Sequence, residues 1–350
     1  MQKTQLKGFS LKELEQYVLE SSEKRFRARQ LYHWMYKRKA TQFDEMTDIS
    51  ASFRQHLREN ADLNAVSLEL VQESATGDAK KYLFRLHDGH FIESVLMLDG
   101  KRRTLCISTQ VGCAIDCKFC ATGAMGLKRN LTSGEIVDQV LTVARENSEN
   151  ITNVVVMGMG EPMHNYNNMM QALEIISDSN GLNISKRHIV VSTSGLVSAI
   201  HKFKNERKKY RLAISLNATT DAVRTRLMPL NKKWPIKMLL DAARDFAESS
   251  RDLVTIEYVL LAGINDSVED ARRLRNLLRG IRCKLNLIPY NTTMRHFRRP
   301  DNATIEKFFA ELKSLQAPVT VRWSKGVDID AACGQLATQS DVGKGHSQAQ

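Results

Sequence analysis

The chain has 350 residues, of which 42% are hydrophobic and 26% charged, a composition that excludes a wholly disordered or fibrous protein. No stretch approaches the ~18 consecutive apolar residues of a membrane-spanning helix, and the N-terminal residues lack the apolar core of a secretory signal. We therefore expect a cytoplasmic protein. Lysine and arginine number 51 against 39 acidic residues, a net charge of +12. This excess indicates a polyanionic partner, and nucleic acid is favoured over a membrane surface.

Residues 1–90 are predicted to form a small accessory domain that is mostly helical. Leu11, Leu14 and Val18 recur at helical intervals, and the same spacing continues through the stretch 26–35. A further helix is expected in the residues up to 60, with a serine cap near its start. Two short strands follow, over 81–86 and 90–98, separated by a turn at an Asp-Gly pair.

From Thr104 onward, predicted strands and helices alternate. The apolar runs expected to be strands are 104–108, 153–159, 188–193, 211–217, 253–261 and 284–290, with a seventh at 318–323. Strands separated by helical stretches indicate a parallel sheet. We predict an α/β fold, a partial (β/α)6 barrel over 91–337, with its ligands at the carboxyl ends of the strands. The polar tail 338–350 is expected to be disordered.

Four of the six cysteines fall within fifteen residues, and Cys113, Cys117 and Cys120 directly follow the first strand of the barrel. Thiolates are soft ligands that suit zinc or an iron–sulfur cluster. Three thiolates so close together can hold three corners of a [4Fe–4S] cluster and leave the fourth iron open to a ligand. The alternative is a zinc site completed by Cys106 or His164. It is less favoured because zinc knuckles usually have two Cys-x2-Cys pairs and this loop has one.

The Cys-x3-Cys-x2-Cys spacing is typical of the radical S-adenosylmethionine (SAM) superfamily, and a wider set of segments resembles the RlmN/Cfr family of RNA adenine methyltransferases. These segments are VVMGMGEPMHNYNN, SKRHIVVSTSG, SLNATTDAVRTRLMPLNKKWPI, EYVLLAGIND, NLIPYN and GVDIDAACGQL. The resemblance spans about residues 20–337. It implies a [4Fe–4S] cluster on Cys113, Cys117 and Cys120, and two SAM molecules per turnover.

The resemblance also implies a mechanism. The target is an electron-poor carbon of adenine, which is no nucleophile, so a radical derived from the cofactor is needed. Cys333 is expected to be methylated by one SAM. A 5′-deoxyadenosyl radical from the second SAM then removes a hydrogen atom from this S-methyl group, and the resulting methylene radical adds to adenine. Cys106 would then release the RNA by forming a disulfide with Cys333, which a reductant reopens. Glu93 matches the family's proton acceptor, although the sequence leaves Glu93 and Cys106 both open for that role.

Further residues match positions that bind SAM in the family. Gly160 and Glu161 are expected to contact its amino group, and the remaining matches are Ser192, Ser215, Leu216, Asn217 and Asn291. Read without the resemblance, Gly158-Met-Gly could begin a dinucleotide motif, but residue 163 is Met where that motif has its third glycine. Many relatives carry His in place of Asn217, so only a main-chain contact there would be retained. Cys283 has no counterpart and is expected to be a packed thiol.

Several basic segments are candidates for RNA contact. Residues 24–39 contain seven lysines and arginines and no acid, interleaved with aromatic residues. The runs 201–211 and 295–299 and the pair Lys232-Lys233 add further charge. Some of the aromatic residues in 24–39 could instead belong to the core. The expected partners are 23S rRNA and tRNA, an electron donor such as flavodoxin or ferredoxin, and a disulfide reductant, with no membrane.

Methylation at carbon 2 of adenine is favoured over carbon 8. Glu161 is followed by Pro162, and the segment 26–38 resembles the housekeeping members of the family. The alternative within the family is the C8-specific, antibiotic-resistance type of 23S rRNA methyltransferase, which 120–123 and 126–132 also resemble. Outside the family, the alternatives are a zinc-stabilised RNA-binding protein and a radical SAM enzyme that acts on a protein or a small molecule.

Overall fold

Helices and strands occupy most of the chain. The computed structural model describes residues 3–147, 150–250, 252–294 and 296–337, so the tail predicted at 338–350 lies outside the described residues. The α-helices in these ranges are α1 (Leu11–Glu20), α2 (Arg27–Tyr32), α3 (Ala51–Asn60), α4 (Ala121–Ala124), α5 (Ser133–Glu146), α6 (Tyr166–Ser177), α7 (Val197–Asn205), α8 (Asp221–Leu227), α9 (Ile236–Ser249), α10 (Val268–Leu278) and α11 (Asn302–Glu311). None of the helices in the described ranges is long and apolar enough to cross a bilayer.

The β-strands in the same ranges are β1 (Thr4–Gln5), β2 (Ala61–Asp62), β3 (Val66–Glu73), β4 (Ala79–Leu86), β5 (Phe91–Asp99), β6 (Arg102–Cys106), β7 (Gln110–Val111), β8 (Arg129–Asn130), β9 (Asn153–Val156), β10 (Ile189–Thr193), β11 (Arg211–Ser215), β12 (Val254–Leu260), β13 (Cys283–Pro289) and β14 (Val319–Val321). A π-helical turn extends α2 over His33–Lys37. Single 3₁₀ turns occur at Phe43–Glu45, Pro162–Asn165, Lys186–His188, Pro229–Lys232 and Val327–Ile329.

Ten strands form one sheet in the order β14-β13-β12-β11-β10-β9-β6-β5-β4-β3. From β6 to β14 all neighbours are parallel, whereas β3, β4, β5 and β6 pair in antiparallel fashion. The parallel strands are the seven apolar runs predicted from the sequence. The predicted α/β fold, a partial (β/α)6 barrel with a helical N-terminal region, is therefore confirmed.

The central parallel strands are largely apolar because most of their residues are buried. Val154 in β9, Ile214 in β11 and Ile256 in β12 are fully buried. Local capping defines where the connecting helices begin. At the start of α5 the Thr132 hydroxyl accepts a hydrogen bond from the N–H of Glu135, and the Glu135 carboxylate accepts one from the N–H of Thr132. This capping box satisfies N–H groups that have no partner within the helix.

The strand β3 was not predicted from the sequence. Most of its residues are exposed, and only its first residue is buried, so its side chains do not alternate between apolar and polar as half-buried strands do. Its pairing with β4 also shifts register between Leu68 and Leu70. β3 and β4 extend the same sheet as β5, so the boundary predicted between residues 90 and 91 falls between two paired strands. The division into two domains stays a prediction.

The N-terminal helices are fixed against the barrel through buried tyrosines. The Tyr36 hydroxyl donates to the carbonyl of Phe9 and accepts from the N–H of Gly8, both at 2.9 Å. The Tyr32 hydroxyl donates to the carboxylate of Asp178, just beyond α6, at 2.9 Å. The Tyr36 bonds hold the N-terminal region together, and the Tyr32 bond joins it to the end of α6.

Residues 322–337, here called the C-terminal segment, connect the last parallel strand to the antiparallel hairpin. The N–H of Arg322 donates to the carbonyl of Leu287 in β13 at 2.8 Å. The Lys325 ammonium binds the carbonyl of Leu98 and lies 3.5 Å from the Asp99 carboxylate, both in β5. The segment therefore bridges β13 and β5 across the open side of the barrel.

Candidate active site

A cavity of about 540 Å³ opens at the carboxyl ends of the parallel strands, a volume in the range of small-molecule sites. The residues predicted for the site that line it are Cys106, Cys117, Cys120, Gly160, Glu161, Ser192, Ser215, Asn217, Asn291 and Cys333. Three other predicted residues, Glu93, Cys113 and Leu216, do not line this cavity. The strand ends, the cysteine loop and the C-terminal segment thus meet around one space.

The three-cysteine loop lies between β7 and α4 and is shaped by a glycine contact. Gly112 has a φ of +72°, and a Cβ there would lie 1.8 Å from the carbonyl oxygen of Gly126. This close approach lets the N–H of Cys113 bond to that carbonyl at 3.2 Å. The N–H of Cys120 donates to the carbonyl of Cys117 at 3.0 Å, which turns the chain into α4.

The three cysteines of the loop are partly buried. Burial raises the pKa of Cys113 to about 12 and also raises the pKa values of Cys117 and Cys120. The neighbouring thiols raise the pKa of Cys117 further. Without a metal the thiols are therefore protonated at neutral pH, and a bound metal would displace their protons.

This donor set fits an iron–sulfur cluster. Among the described residues, no three His, Cys, Asp or Glu side chains form a site for a single metal ion. A [4Fe–4S] cluster is larger than one ion and takes thiolates at separate corners. Cys113, Cys117 and Cys120 would hold three corners, and the cavity beside Cys117 and Cys120 would take the ligand of the fourth.

The turn after β9 brings backbone to the edge of the cavity. A Cβ at Gly158 would lie 2.8 Å from the carbonyl oxygen of Ile107, so a side chain cannot be added there without a shift. Gly160 has a φ of +99°, a conformation that favours glycine. These glycines let the turn pack closely against the residues that follow β6, and Gly160 and Glu161, both predicted to bind the amino group of SAM, line the cavity.

The Glu161 carboxylate organises this turn. One oxygen accepts the N–H of Met163 at 3.0 Å and the other accepts the N–H of Ser194 at 2.7 Å. Burial raises the pKa of Glu161, whereas the two N–H groups lower it. The side chain therefore ties the end of β9 to the end of β10, where Ser192 faces the cavity.

After β11, the side chain of Asn217 is used within the protein. Its φ is +57°, which Asn tolerates better than most residues. Its Oδ1 accepts the N–H of Val259 at 2.8 Å, and its Nδ2 lies 3.4 Å from the sulfur of Met228. Leu216 is fully buried, and its N–H donates to the carbonyl of Glu257. Of the predicted segment, Ser215 and Asn217 reach the cavity.

Arg224, which the sequence analysis missed, links the loops that follow β10 and β11. Its side chain is fully buried, and burial lowers its pKa to about 10. The guanidinium donates to the carbonyls of Ser194 at 2.7 Å and Leu216 at 3.0 Å. Nothing in the sequence distinguishes Arg224 from the exposed arginines in the chain.

Cys333 is held over the cavity by bonds to the main chain on both sides. The Asn291 amide donates to the Cys333 carbonyl at 3.1 Å, and the N–H of Ala121 donates to the Gly334 carbonyl at 2.8 Å. The Thr122 hydroxyl adds a bond to the Leu336 carbonyl at 2.5 Å. The C-terminal segment is therefore joined directly to the helix that follows Cys120.

Cys333 and Cys106 share one electrostatic environment. Burial raises the pKa of each thiol to about 12, and the nearby Arg322 lowers it. A charge on Cys106 raises the pKa of Cys333. Cys333 still has accessible surface, because it faces the open cavity. Both thiols are free in this structure.

Glu257 is a second residue that the sequence analysis missed. It is buried at the wall of the cavity in β12, with an oxygen 4.0 Å from the Arg322 guanidinium. Burial raises its pKa, and Arg322 lowers it. A single carboxylate within the apolar run 253–261 was the signal that could have identified it.

Glu93 is buried beside the cavity, not exposed on the strand surface. One carboxylate oxygen lies 3.3 Å from the Lys81 ammonium, and the other has no hydrogen-bond partner among the described residues. Burial raises the pKa of Glu93, whereas Lys81 and the backbone N–H of Ala337 lower it. The end of the C-terminal segment thus lies next to Glu93.

The basic stretch 24–39 is divided between core and surface. Leu31 and Tyr36 are fully buried, so part of its aromatic and apolar content belongs to the core. Phe26 is 51% exposed and packs against the Arg27 guanidinium. Only the exposed part of this stretch is free to contact RNA.

The other basic runs differ in how far their charges are neutralised. Lys204 lies 2.7 Å from the Asp245 carboxylate, and Lys208 lies 3.5 Å from that of Glu174. Lys233 packs over the ring of Trp234 instead. Residue 295 of the run 295–299 lies outside the described residues.

Two family descriptions match the chain. The Ribosomal RNA large subunit methyltransferase N-terminal domain matches residues 4–63, and the radical SAM superfamily matches residues 107–275. The second match contains the three-cysteine loop and the carboxyl ends of β9, β10 and β11, which lie around the cavity.

Curated proteins and a solved structure resemble nearly the whole chain. The dual-specificity RNA methyltransferase RlmN of Geotalea uraniireducens is 47% identical over 97% of this chain and 98% of its own length. The enzyme of the same name from Geobacter sulfurreducens is 47% identical over 96% and 93%. A crystal structure of a radical SAM methyltransferase from Sphaerobacter thermophilus superposes with a TM-score of 0.92 at 44% identity, covering 95% of this chain and 99% of that one.

Proposed function

The chain belongs to the RlmN family of radical SAM RNA methyltransferases, and on that premise we propose that it methylates carbon 2 of adenine in two RNAs. The proposed targets are an adenosine in the peptidyl-transferase region of 23S rRNA and the tRNA adenosine next to the anticodon. The names of the curated relatives describe dual-specificity enzymes, which supports two RNA substrates. The net charge of +12 supports binding to a polyanion.

The observation that carries this proposal is that Cys333 and the three-cysteine loop meet at one cavity. Cys117, Cys120 and Cys333 all line it, and the N–H of Ala121 binds the carbonyl of Gly334. A methyl carrier held beside a radical source is what transfer to a non-nucleophilic carbon requires. A zinc-stabilised RNA-binding protein would have no use for this arrangement.

The residues have separate roles in the proposed reaction. When bound, the cluster on Cys113, Cys117 and Cys120 supplies an electron for the cleavage of SAM, which in turn supplies the methyl group and the radical. Cys333 accepts the methyl group and carries the carbon to adenine. Cys106 releases the RNA by forming a disulfide with Cys333.

The cavity walls orient SAM in this proposal. Gly160 and Glu161 bind its amino group; each carboxylate oxygen of Glu161 accepts one N–H bond and keeps a lone pair for a further donor. The other predicted contacts come from Ser192, Ser215, Leu216, Asn217 and Asn291. Of these, Leu216 does not line the cavity, and its main-chain N–H and carbonyl already bind Glu257 and Arg224. Two SAM molecules are used in each turnover, one for the methyl group and one for the radical.

Glu93 is the better of the two candidates for the ring proton. The Cys106 thiol, with a pKa of about 12, is protonated at neutral pH and is poorly suited to accept a proton. Glu93 has one carboxylate oxygen with no hydrogen-bond partner among the described residues, and Lys81 favours its charged form. The backbone N–H of Ala337, at the end of the C-terminal segment, also lies beside the Glu93 carboxylate.

The turnover needs two redox partners. An electron donor such as flavodoxin or ferredoxin reduces the cluster, and a separate reductant opens the Cys106–Cys333 disulfide by thiol exchange. Cys106 is buried and Cys333 is exposed, so the reductant is expected to attack the disulfide at the sulfur of Cys333.

Chromatography and mass spectrometry of the modified nucleoside test the proposed position. The enzyme is incubated under reducing, oxygen-free conditions with SAM and fragments of 23S rRNA or tRNA, and the digested RNA is compared with authentic standards. We expect 2-methyladenosine from both RNAs. Formation of 8-methyladenosine instead would assign the chain to the C8-specific type and contradict the proposal.

A further inference from the structure

An exposed tryptophan lies at the mouth of the cavity. Trp323 lines the cavity but is 52% exposed, so its indole faces both the interior and the solvent. A single exposed aromatic residue is ordinary on a protein surface, so it is the position of Trp323 at the mouth of the cavity that makes it informative. The proposed catalytic steps and SAM contacts do not use Trp323.

The main chain that carries Trp323 is anchored on both sides. The N–H of Arg322 donates to the carbonyl of Leu287 at 2.8 Å. The Ser324 hydroxyl accepts from the Asn291 amide at 2.9 Å, and Lys325 binds the carbonyl of Leu98. The indole therefore projects from a fixed support, which lowers the entropy lost when a ligand packs against it.

Arg299 packs against the indole and contributes a positive charge. Its guanidinium carbon lies 4.6 Å from the ring centroid, within the range of a cation–π contact. No carboxylate in the described ranges forms an ion pair with Arg299. The charge is therefore available to a phosphate close to the indole.

We infer that Trp323 and Arg299 bind the nucleotide next to the target adenosine, with its base stacked on the indole and its phosphate paired with the guanidinium. The inference rests on the proposed function. An adenine that enters a cavity of about 540 Å³ has to leave its own stack, and its neighbour then loses a stacking partner. The indole replaces that partner, and arginine and aromatic side chains together are the usual means of binding unpaired RNA.

The first test is the kinetics of Trp323→Ala and Trp323→Phe in the holoenzyme. We expect Trp323→Ala to raise KM for an RNA fragment about tenfold, the loss typical of one base–aromatic stack. The kcat and the KM for SAM should stay within about twofold of wild type, and Trp323→Phe should restore most of the RNA affinity. Val327→Ala, a change at an exposed residue of the same segment that does not line the cavity, is the matched control.

A second test identifies the base that stacks. RNA fragments with an abasic site 5′ or 3′ of the target adenosine are compared on wild type and Trp323→Ala. One of the two should reproduce the tenfold loss in wild type and cause little further loss in the variant, because both changes remove the same contact. Additive losses at both positions would contradict the inference.

Tryptophan fluorescence gives a readout that does not depend on methyl transfer. RNA should quench part of the wild-type emission, and this part should be absent in Trp323→Phe. If RNA quenches both proteins equally and KM for RNA in Trp323→Ala is unchanged, the inference is wrong. If instead KM for SAM rises, the indole stacks on the cofactor, which also overturns it. Failure to form 2-methyladenosine would contradict the proposed function and leave the quenching test intact.

Discussion

We expect Cys333→Ala to abolish RNA methylation while the variant still converts SAM to 5′-deoxyadenosine under reducing conditions. The cysteine loop and the cavity walls are untouched by the change, so the radical source stays in place. The carbon carrier is lost, because the other thiol that shares its environment, Cys106, lies at the end of β6 and not on the C-terminal segment. Liquid chromatography of 5′-deoxyadenosine and of digested RNA measures both outcomes.

Two variants control this result. Cys283→Ala removes a buried thiol at the start of β13 that does not line the cavity, and should leave both activities near wild type. Cys106→Ala should methylate Cys333 but leave RNA covalently bound to the protein, visible as a shifted band on a denaturing gel. Normal turnover by Cys333→Ala would contradict the proposal that Cys333 carries the methyl carbon to adenine.

Cys117→Ala should lose the cluster and, with it, every SAM-dependent activity. Cys117 is the central cysteine of the loop, and both Cys113 and Cys120 raise its pKa. Two thiolates cannot hold a cluster that needs at least three protein ligands here. Purified without oxygen, the variant should lack the broad absorbance near ~400 nm and the iron found in wild type.

Cys283→Ala is again the control, because it removes a thiol without touching the loop and should retain its iron. Zinc in place of iron in oxygen-free wild-type protein would contradict the cluster assignment. Iron retained in full by Cys117→Ala would show that the ligands lie elsewhere.

The sequence predicted the parallel strands and also β4 and β5, but it did not predict β3 at the antiparallel edge of the sheet. Strands such as β9 and β12 are mostly apolar because nearly all of their residues are buried. β3 has no such signal, since seven of its eight residues are not buried and its stability comes from pairing with β4. Pairing between strands leaves no trace in the local pattern of one strand.

For the site, the sequence identified residues that follow one another in a local motif, but it did not show which distant segments come into contact. The spacing of Cys113, Cys117 and Cys120 is local and could be recognised. That Cys333 reaches the same cavity depends on bonds between the C-terminal segment and Ala121 and Thr122, far away in the chain. Without the family resemblance, no local pattern would have joined Cys333 to the cysteine loop.

The sequence analysis missed charged residues whose properties depend on their burial in the folded protein. Arg224 and Glu257 carry ordinary charged side chains, and their importance comes from loss of solvent, which shifts their pKa values in opposite directions. Trp323 was missed for the opposite reason. An exposed indole is informative only once its position at a cavity is known.

The central claim is that Cys333 carries the one-carbon unit from SAM to carbon 2 of adenine. It is tested most directly with SAM whose methyl group carries three deuterium atoms, followed by mass spectrometry of the 2-methyladenosine and the 5′-deoxyadenosine. Removal of one deuterium from the S-methyl group of Cys333 predicts a product methyl group with two deuterium atoms and a 5′-deoxyadenosine with one. Transfer of an intact trideuterated methyl group, with no deuterium in 5′-deoxyadenosine, would contradict the account.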